Sequence, residues 1–133
     1  MCGAVRFATF HEPKRVTICH CQWCQRRTGS AFGIEVVYDE DVVEIVGEGI
    51  ARHRHISDES GRWLDVQFCS RCGTNLGFTL EAVPGIRTLP AGAFDDRDWI
   101  RSDLVEFRHV FARSRQPWAD LSSLVEVHEK HFR

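Results

Sequence analysis

Cys19-His20-Cys21-Gln22-Trp23-Cys24 and Cys69-Ser70-Arg71-Cys72-Gly73 hold five of the six cysteines of this chain and decide how the rest is read. A C-x-x-C pair brings two sulfurs together across one tight turn, the bite that tetrahedral zinc requires. The first knot is denser, a C-x-C fused to a C-x-x-C. Three thiolates from one short loop leave the fourth corner of a tetrahedron open, and an open corner is what separates a catalytic zinc from a structural one. The alternative is that both knots, with Cys2, are structural ligands only.

Disulfides fit poorly. Residues i and i+2 of a strand point the same way and lie farther apart than a disulfide bridges, which argues against Cys19–Cys21. Met1-Cys2-Gly3-Ala4-Val5-Arg6 runs straight into an alternating pattern without the marks of a secretory signal, and no apolar run approaches transmembrane length. A cytoplasmic protein is expected, in which clustered reduced thiols hold metal.

Outward from the knots, the 133 residues are expected to form one domain, 1–133, with 43% hydrophobic and 27% charged residues arguing against disorder. A net charge of −2 provides no global field for nucleic acid or an anionic membrane. Locally, Gln25-Arg26-Arg27 and Arg52-His53-Arg54-His55 are basic. Both read first as solvated faces, and Arg26 and Arg27 alternatively as groups that draw an anionic ligand toward the metal.

The segment 4–10 alternates like a half-buried strand, and 15–18 returns as its hairpin partner, delivering the chain into Cys19. The segment 26–30 reads as a loop after at most one helical turn. Strands are expected over 32–38, 42–46, 50–56, 62–68, 76–80, 86–90 and 105–112. The strand 62–68 ends in Cys69, where Gly73 lets the knuckle turn. Asp120 is placed to cap a short C-terminal helix, with Leu121, Leu124, Val125 and His128 on one face. The class is mainly β, built of antiparallel sheets. Trp23, Trp63, Trp99 and Trp118 read as core or pocket wall, Trp23 being best placed to line a cleft. His20, between two ligands, is expected to point away from their metal. His128 and His131 have helical spacing that suits a metal site, with solvent exposure the plainer reading.

Cys2-Gly3-Ala4-Val5-Arg6-Phe7, then Cys19-His20-Cys21-Gln22-Trp23-Cys24-Gln25-Arg26-Arg27-Thr28-Gly29-Ser30-Ala31-Phe32, then Phe68-Cys69-Ser70-Arg71-Cys72-Gly73-Thr74-Asn75-Leu76 resemble the glutathione-dependent formaldehyde-activating enzyme family. Pro117-Trp118 is similar to a segment near that family's C-terminus. The resemblance implies an Mss4-like fold of antiparallel β-sheets with zinc knuckles at strand ends. It implies two zinc sites: a catalytic one on Cys19, Cys21 and Cys24, and a structural one on Cys2, Cys69 and Cys72. In the family pattern the structural site also draws on a cysteine that would fall one residue before Met1. Either the start is truncated or mis-assigned, or the site makes do with three.

The implied activity is that of a zinc-dependent carbon–sulfur lyase of the S-(hydroxymethyl)glutathione synthase type, joining formaldehyde to glutathione or another thiol. Cys19, Cys21 and Cys24 are then ligands rather than nucleophiles, and the partner is a small thiol rather than nucleic acid or membrane. The rival is a non-catalytic Mss4-like zinc module that binds a protein or a thiol without turning it over.

Overall fold

A computed structural model describes residues 1–96, 98, 100, 103, 105–120 and 126–131. Short runs of β-branched and aromatic residues between turn-forming segments give ten strands and one α-helix among them. These are β1 (Val5–Ala8), β2 (Arg15–Cys19), α1 (Gln22–Thr28), β3 (Gly33–Asp39), β4 (Glu44–Gly47), β5 (Ile50–Ile56), β6 (Trp63–Cys69), β7 (Asn75–Leu80), β8 (Ile86–Pro90), β9 (Phe107–Val110) and β10 (Glu126–Val127). The mainly β class read from the sequence is the class observed.

Eight strands form one sheet in the order β10-β9-β2-β3-β8-β7-β6-β5, and β1 pairs with β4 in a separate ribbon. From β2 to β5 every pairing is antiparallel; β9 runs parallel to β2, and β10 parallel to β9. The expected hairpin between β1 and β2 is therefore corrected. Both edges of β2 are taken, by β3 and β9, so β1 pairs elsewhere. Gly47 shows why β4 accepts it. At φ +117° a Cβ there would lie 2.1 Å from the Ala4 carbonyl oxygen, an approach that only glycine permits.

Alternation divides the large sheet into two faces. Val16, Val36, Tyr38 and Leu89 point to one side and are wholly buried. Phe7 of β1, with Val42, Val43, Phe94, Val105 and Phe107, covers them. Burying each large apolar side chain contributes roughly 1.5–3 kcal/mol, so this layer carries much of the stability. Arg15, Thr17, Cys19, Glu35, Val37 and Thr88 occupy the alternate positions and face a cavity instead. The sheet curls around that cavity: Trp23 of α1 stacks on His55 of the far edge strand β5, centroids 4.9 Å apart and planes within 12°.

The helix corrects a second expectation. Cys21 is its N-cap, extended at φ −63° and ψ 151°, and Gly29 closes it in the left-handed region. Residues 22–28 are thus two helical turns, not a loop. Cysteine is not among the usual capping residues, so the sequence carried no start signal there.

At the C-terminus, residues 121–125 of the expected helix lie outside the described residues. Glu126–Val127 form strand β10, so His128 does not continue a helical face. Among the described residues no helix is long and apolar enough to cross a membrane.

Candidate metal centres

Strand β2 delivers Cys19, the turn after it supplies Cys21, and the first helical turn supplies Cys24. Their three sulfurs lie within 4.8 Å of one another, as do those of Cys2, Cys69 and Cys72. All six cysteines are free of disulfides. Tetrahedral zinc with Zn–S bonds of about 2.3 Å sets its sulfurs about 3.8 Å apart. The sulfurs of Cys2 and Cys69 are 3.7 Å apart, so the donor set fits that ion.

In the first triad the thiols share charge unequally. Cys21 is pulled down to about 3 by hydrogen bonds from Cys19 and Cys24 and by backbone amides, including that of Cys24 at 3.3 Å. Cys19, which donates to Cys21 and accepts from Cys24, is pushed up to about 12, and Cys24, which donates to both, also rises; both are buried. These hydrogen bonds favour Cys21 as the sulfur on which negative charge gathers. In the second triad the hydroxyl and then the amide of Thr74 bring Cys72 down to about 6. Gly73, at φ +74°, makes the knuckle turn, and its amide donates to the Cys69 carbonyl at 2.8 Å.

His20 is wholly buried and turned away from the sulfurs, its Nε2 2.8 Å from Nδ1 of His109 on β9. Gln25 braces the same loop, donating to the His20 carbonyl at 2.7 Å and to the Ser114 carbonyl at 2.9 Å. The C-x-C backbone is thus pinned from two directions, the usual role of groups behind metal ligands.

The first triad opens on a cavity of about 710 Å³, lined by Cys19, Cys21, Cys24 and Trp23 and walled by β2, β3, β6, β7 and β8. The second borders a cleft of about 520 Å³ through Cys2 alone. A model of the glutathione-dependent formaldehyde-activating enzyme matches residues 1–114. The chain belongs to that family. No curated protein matches it. A crystal structure of a Rhodobacter sphaeroides protein shares the fold, with a TM-score of 0.56 at 18% identity over 82% of this chain and 94% of that one.

For this member of the formaldehyde-activating family, the structure redistributes the roles of the basic residues. Arg26 is exposed and does not line the cavity. Arg27 is not a solvated group either. It is ion-paired with Glu35, both side chains under a tenth exposed, and its guanidinium lies 5.1 Å from the rings of Trp23 and Phe78. Burial pushes the Glu35 carboxyl up, against the downward pull of Arg27. Gly33 leaves room for this pair, since a Cβ there would stand 2.7 Å from Glu35 Oε1 and 3.2 Å from Arg27 Nη2.

Cations that do line the cavity are Arg15, Arg62 and Lys130. Arg15 lies near enough to Arg108 that this like charge, after burial, lowers its pKa. Sequence reading missed Glu35 and Arg15. The signal for Glu35 was a lone acid inside the apolar run Ile34-Glu35-Val36-Val37; Arg15 left none. Trp23 and Trp63 line the cavity as expected, Trp118 is 73% exposed, and Trp99 lies outside the described residues. His131 reaches the cavity rim, while His128 pairs with Glu126 at 3.1 Å.

Proposed function

We propose that the chain is a zinc-dependent carbon–sulfur lyase that joins a small thiol, glutathione being favoured, to an aldehyde such as formaldehyde. One observation carries this reading. Three sulfurs converge at the wall of a large cavity, and among the described residues no fourth Cys, His, Asp or Glu joins them. Cys19, Cys21 and Cys24 would hold a zinc ion, whose positive charge would favour the thiolate form of a bound thiol near neutral pH.

The side chains do the rest. Cys19, Cys21 and Cys24 act as ligands, held in place by His20, His109 and Gln25. Arg15 and Lys130 face the cavity from the β2 and β10 side and suit the carboxylates of glutathione. Thiol sulfur adds to the carbonyl carbon, forming a C–S bond while the C=O π bond opens. The thiol proton ends on the former carbonyl oxygen. Cys2, Cys69 and Cys72 would hold a second, structural zinc. Free thiols throughout suit a reducing compartment, the cytoplasm.

Calorimetry of the zinc-loaded protein with glutathione and with S-methylglutathione tests this reading. Glutathione should bind at least tenfold tighter, and its advantage should grow as pH rises toward neutrality and the thiol proton is displaced more easily. Equal affinities would mean that the sulfur does not reach the metal, leaving a non-catalytic zinc module as the better description.

A further inference from the structure

The cavity floor is not uniform, and its asymmetry follows the strand order. On the β2 side stand Arg15 and Thr17, with Lys130 beyond them. On the opposite side, β6, β7 and β8 present Leu64, Phe78, Leu80 and Ile86, with Val83 on the connecting turn and the single cation Arg62 just before β6. Leu64 faces Leu80 directly across β6 and β7, and Phe78 faces Thr88 across β7 and β8. These residues form a continuous apolar wall starting at Trp23, whose ring meets that of Phe78 at 5.4 Å. The cysteine triad stands at one end of the cavity, where Cys19 ends β2, and Arg15 is level with Phe78 across β3 and β8.

We propose that this apolar wall is a subsite for the substituent of the carbonyl partner. The preferred substrate is then an aldehyde bearing an alkyl or aryl group of several carbons, rather than formaldehyde alone. The inference rests on the function proposed above and adds a substrate class to it. Size supports it first. Formaldehyde has two heavy atoms and needs little more room than a water molecule or two, about 30 Å³ each in the liquid. A cavity of about 710 Å³ is far larger.

The thiol peptide does not account for the remainder. Cys19 is in register with Gly33, and Ile86 with Asp39, six residues further along β3. That separation is about 20 Å at the rise of an extended strand. A small thiol peptide anchored by its sulfur covers only part of that length, and its carboxylates belong near Arg15 and Lys130. Apolar surface of this extent is stabilised by being covered, and the group best placed to cover it is the one attached to the carbon that the sulfur attacks. The step remains balanced. Thiol R–SH and aldehyde R′–CHO give R–S–CH(OH)–R′; one C–S bond forms, the π bond opens, and the thiol proton moves to oxygen without any oxidant or reductant.

Two measurements on the zinc-loaded protein test the proposal. Calorimetry with S-methyl-, S-butyl- and S-octylglutathione mimics the adduct with a growing R′. A buried methylene contributes about 0.8 kcal/mol, three- to fourfold in affinity, so S-octyl should bind at least 100-fold tighter than S-methyl. Turnover with glutathione should show kcat/KM for hexanal and benzaldehyde at least tenfold above that for formaldehyde. Leu80→Trp, which fills the subsite, should compress the S-octyl to S-methyl ratio at least tenfold. Val83→Asp, at a position already 38% exposed and so safe for folding, should compress it about threefold. A flat affinity series, or a preference for formaldehyde, overturns this inference alone. No acceleration with any aldehyde overturns it together with the proposed lyase.

Discussion

The two cysteine triads use the same ligands and are built in opposite ways. Cys19, Cys21 and Cys24 come from six consecutive residues, and what they gather is a cavity. Cys2 and Cys69 are separated by 67 positions, and what they gather is the chain itself. The second triad brings the segment leading into the β1–β4 ribbon beside the end of β6 in the large sheet. A metal that closes a long loop removes conformational freedom from the unfolded chain, whereas one held within six residues removes little. Fold stability should therefore depend on the remote triad and ligand chemistry on the local one.

The largest expected effect breaks the remote triad. Cys69→Ser should lower Tm by at least about 10 °C and halve the zinc content, because structural metal binding is coupled to folding. Melting curves and metal analysis check this, and unchanged melting would contradict the division of labour between the triads.

Stability around the local triad has another source. Arg27→Ala leaves Glu35 buried without its cation and should cost about 3–5 kcal/mol in urea unfolding. Rescue by the double variant Arg27→Met with Glu35→Gln would show that the penalty is the stranded charge, not lost packing. If Arg27→Ala costs less than about 1 kcal/mol, the local triad's metal, rather than the ion pair, holds this region together.

Cys21→Ser is the mirror of the first prediction. It should remove one zinc per chain and abolish the thiol-dependent part of glutathione binding, while shifting Tm by no more than about 3 °C. A loss of stability as large as that of Cys69→Ser would erase the distinction drawn here.

The smallest effect is titratable. Burial lowers the pKa of both His20 and His109, with the neighbouring His109 charge a second cause for His20. As pH falls below the ordinary histidine value near 6.5, the unfolded chain takes up protons that the folded pair resists. Stability is thus full above that value and declines below it, by at most about 1.4 kcal/mol per pH unit for each histidine. Unfolding of His109→Asn alongside the parent, from pH 8 to 5.5, should show a shallower decline in the variant. Parallel slopes would mean that the pair is not held neutral.

Much of this was legible beforehand, for local reasons. Strand positions followed from alternation, since β-branched residues and the glycine and proline turns that separate them act over a few residues. The cysteine sets were legible because C-x-x-C geometry is local too. What was hidden was partnership. Nothing in 4–10 says that β1 pairs with β4 rather than β2; Gly47 holds that answer, forty residues later. Helix α1 was hidden because a thiol, not a hydroxyl or carboxylate, caps it. Arg27 read as a solvated cation, or else a ligand-drawing one, until Glu35, eight residues on and on the next strand, claimed it. Arg15 belongs to the cavity only because the sheet curls.

Strand β2, which carries Cys19, has β9 as one of its two neighbours, and the two are ninety-one residues apart at the Cys19–Val110 pairing. During synthesis, the local triad emerges complete once Cys24 leaves the ribosome, long before that neighbour exists. Non-local parallel pairing is slow to form, and until it does β2 has an open edge beside three thiols. Early metal capture at this knot would tie those thiols up during the wait and guard a nascent chain against oxidation and edge-to-edge association.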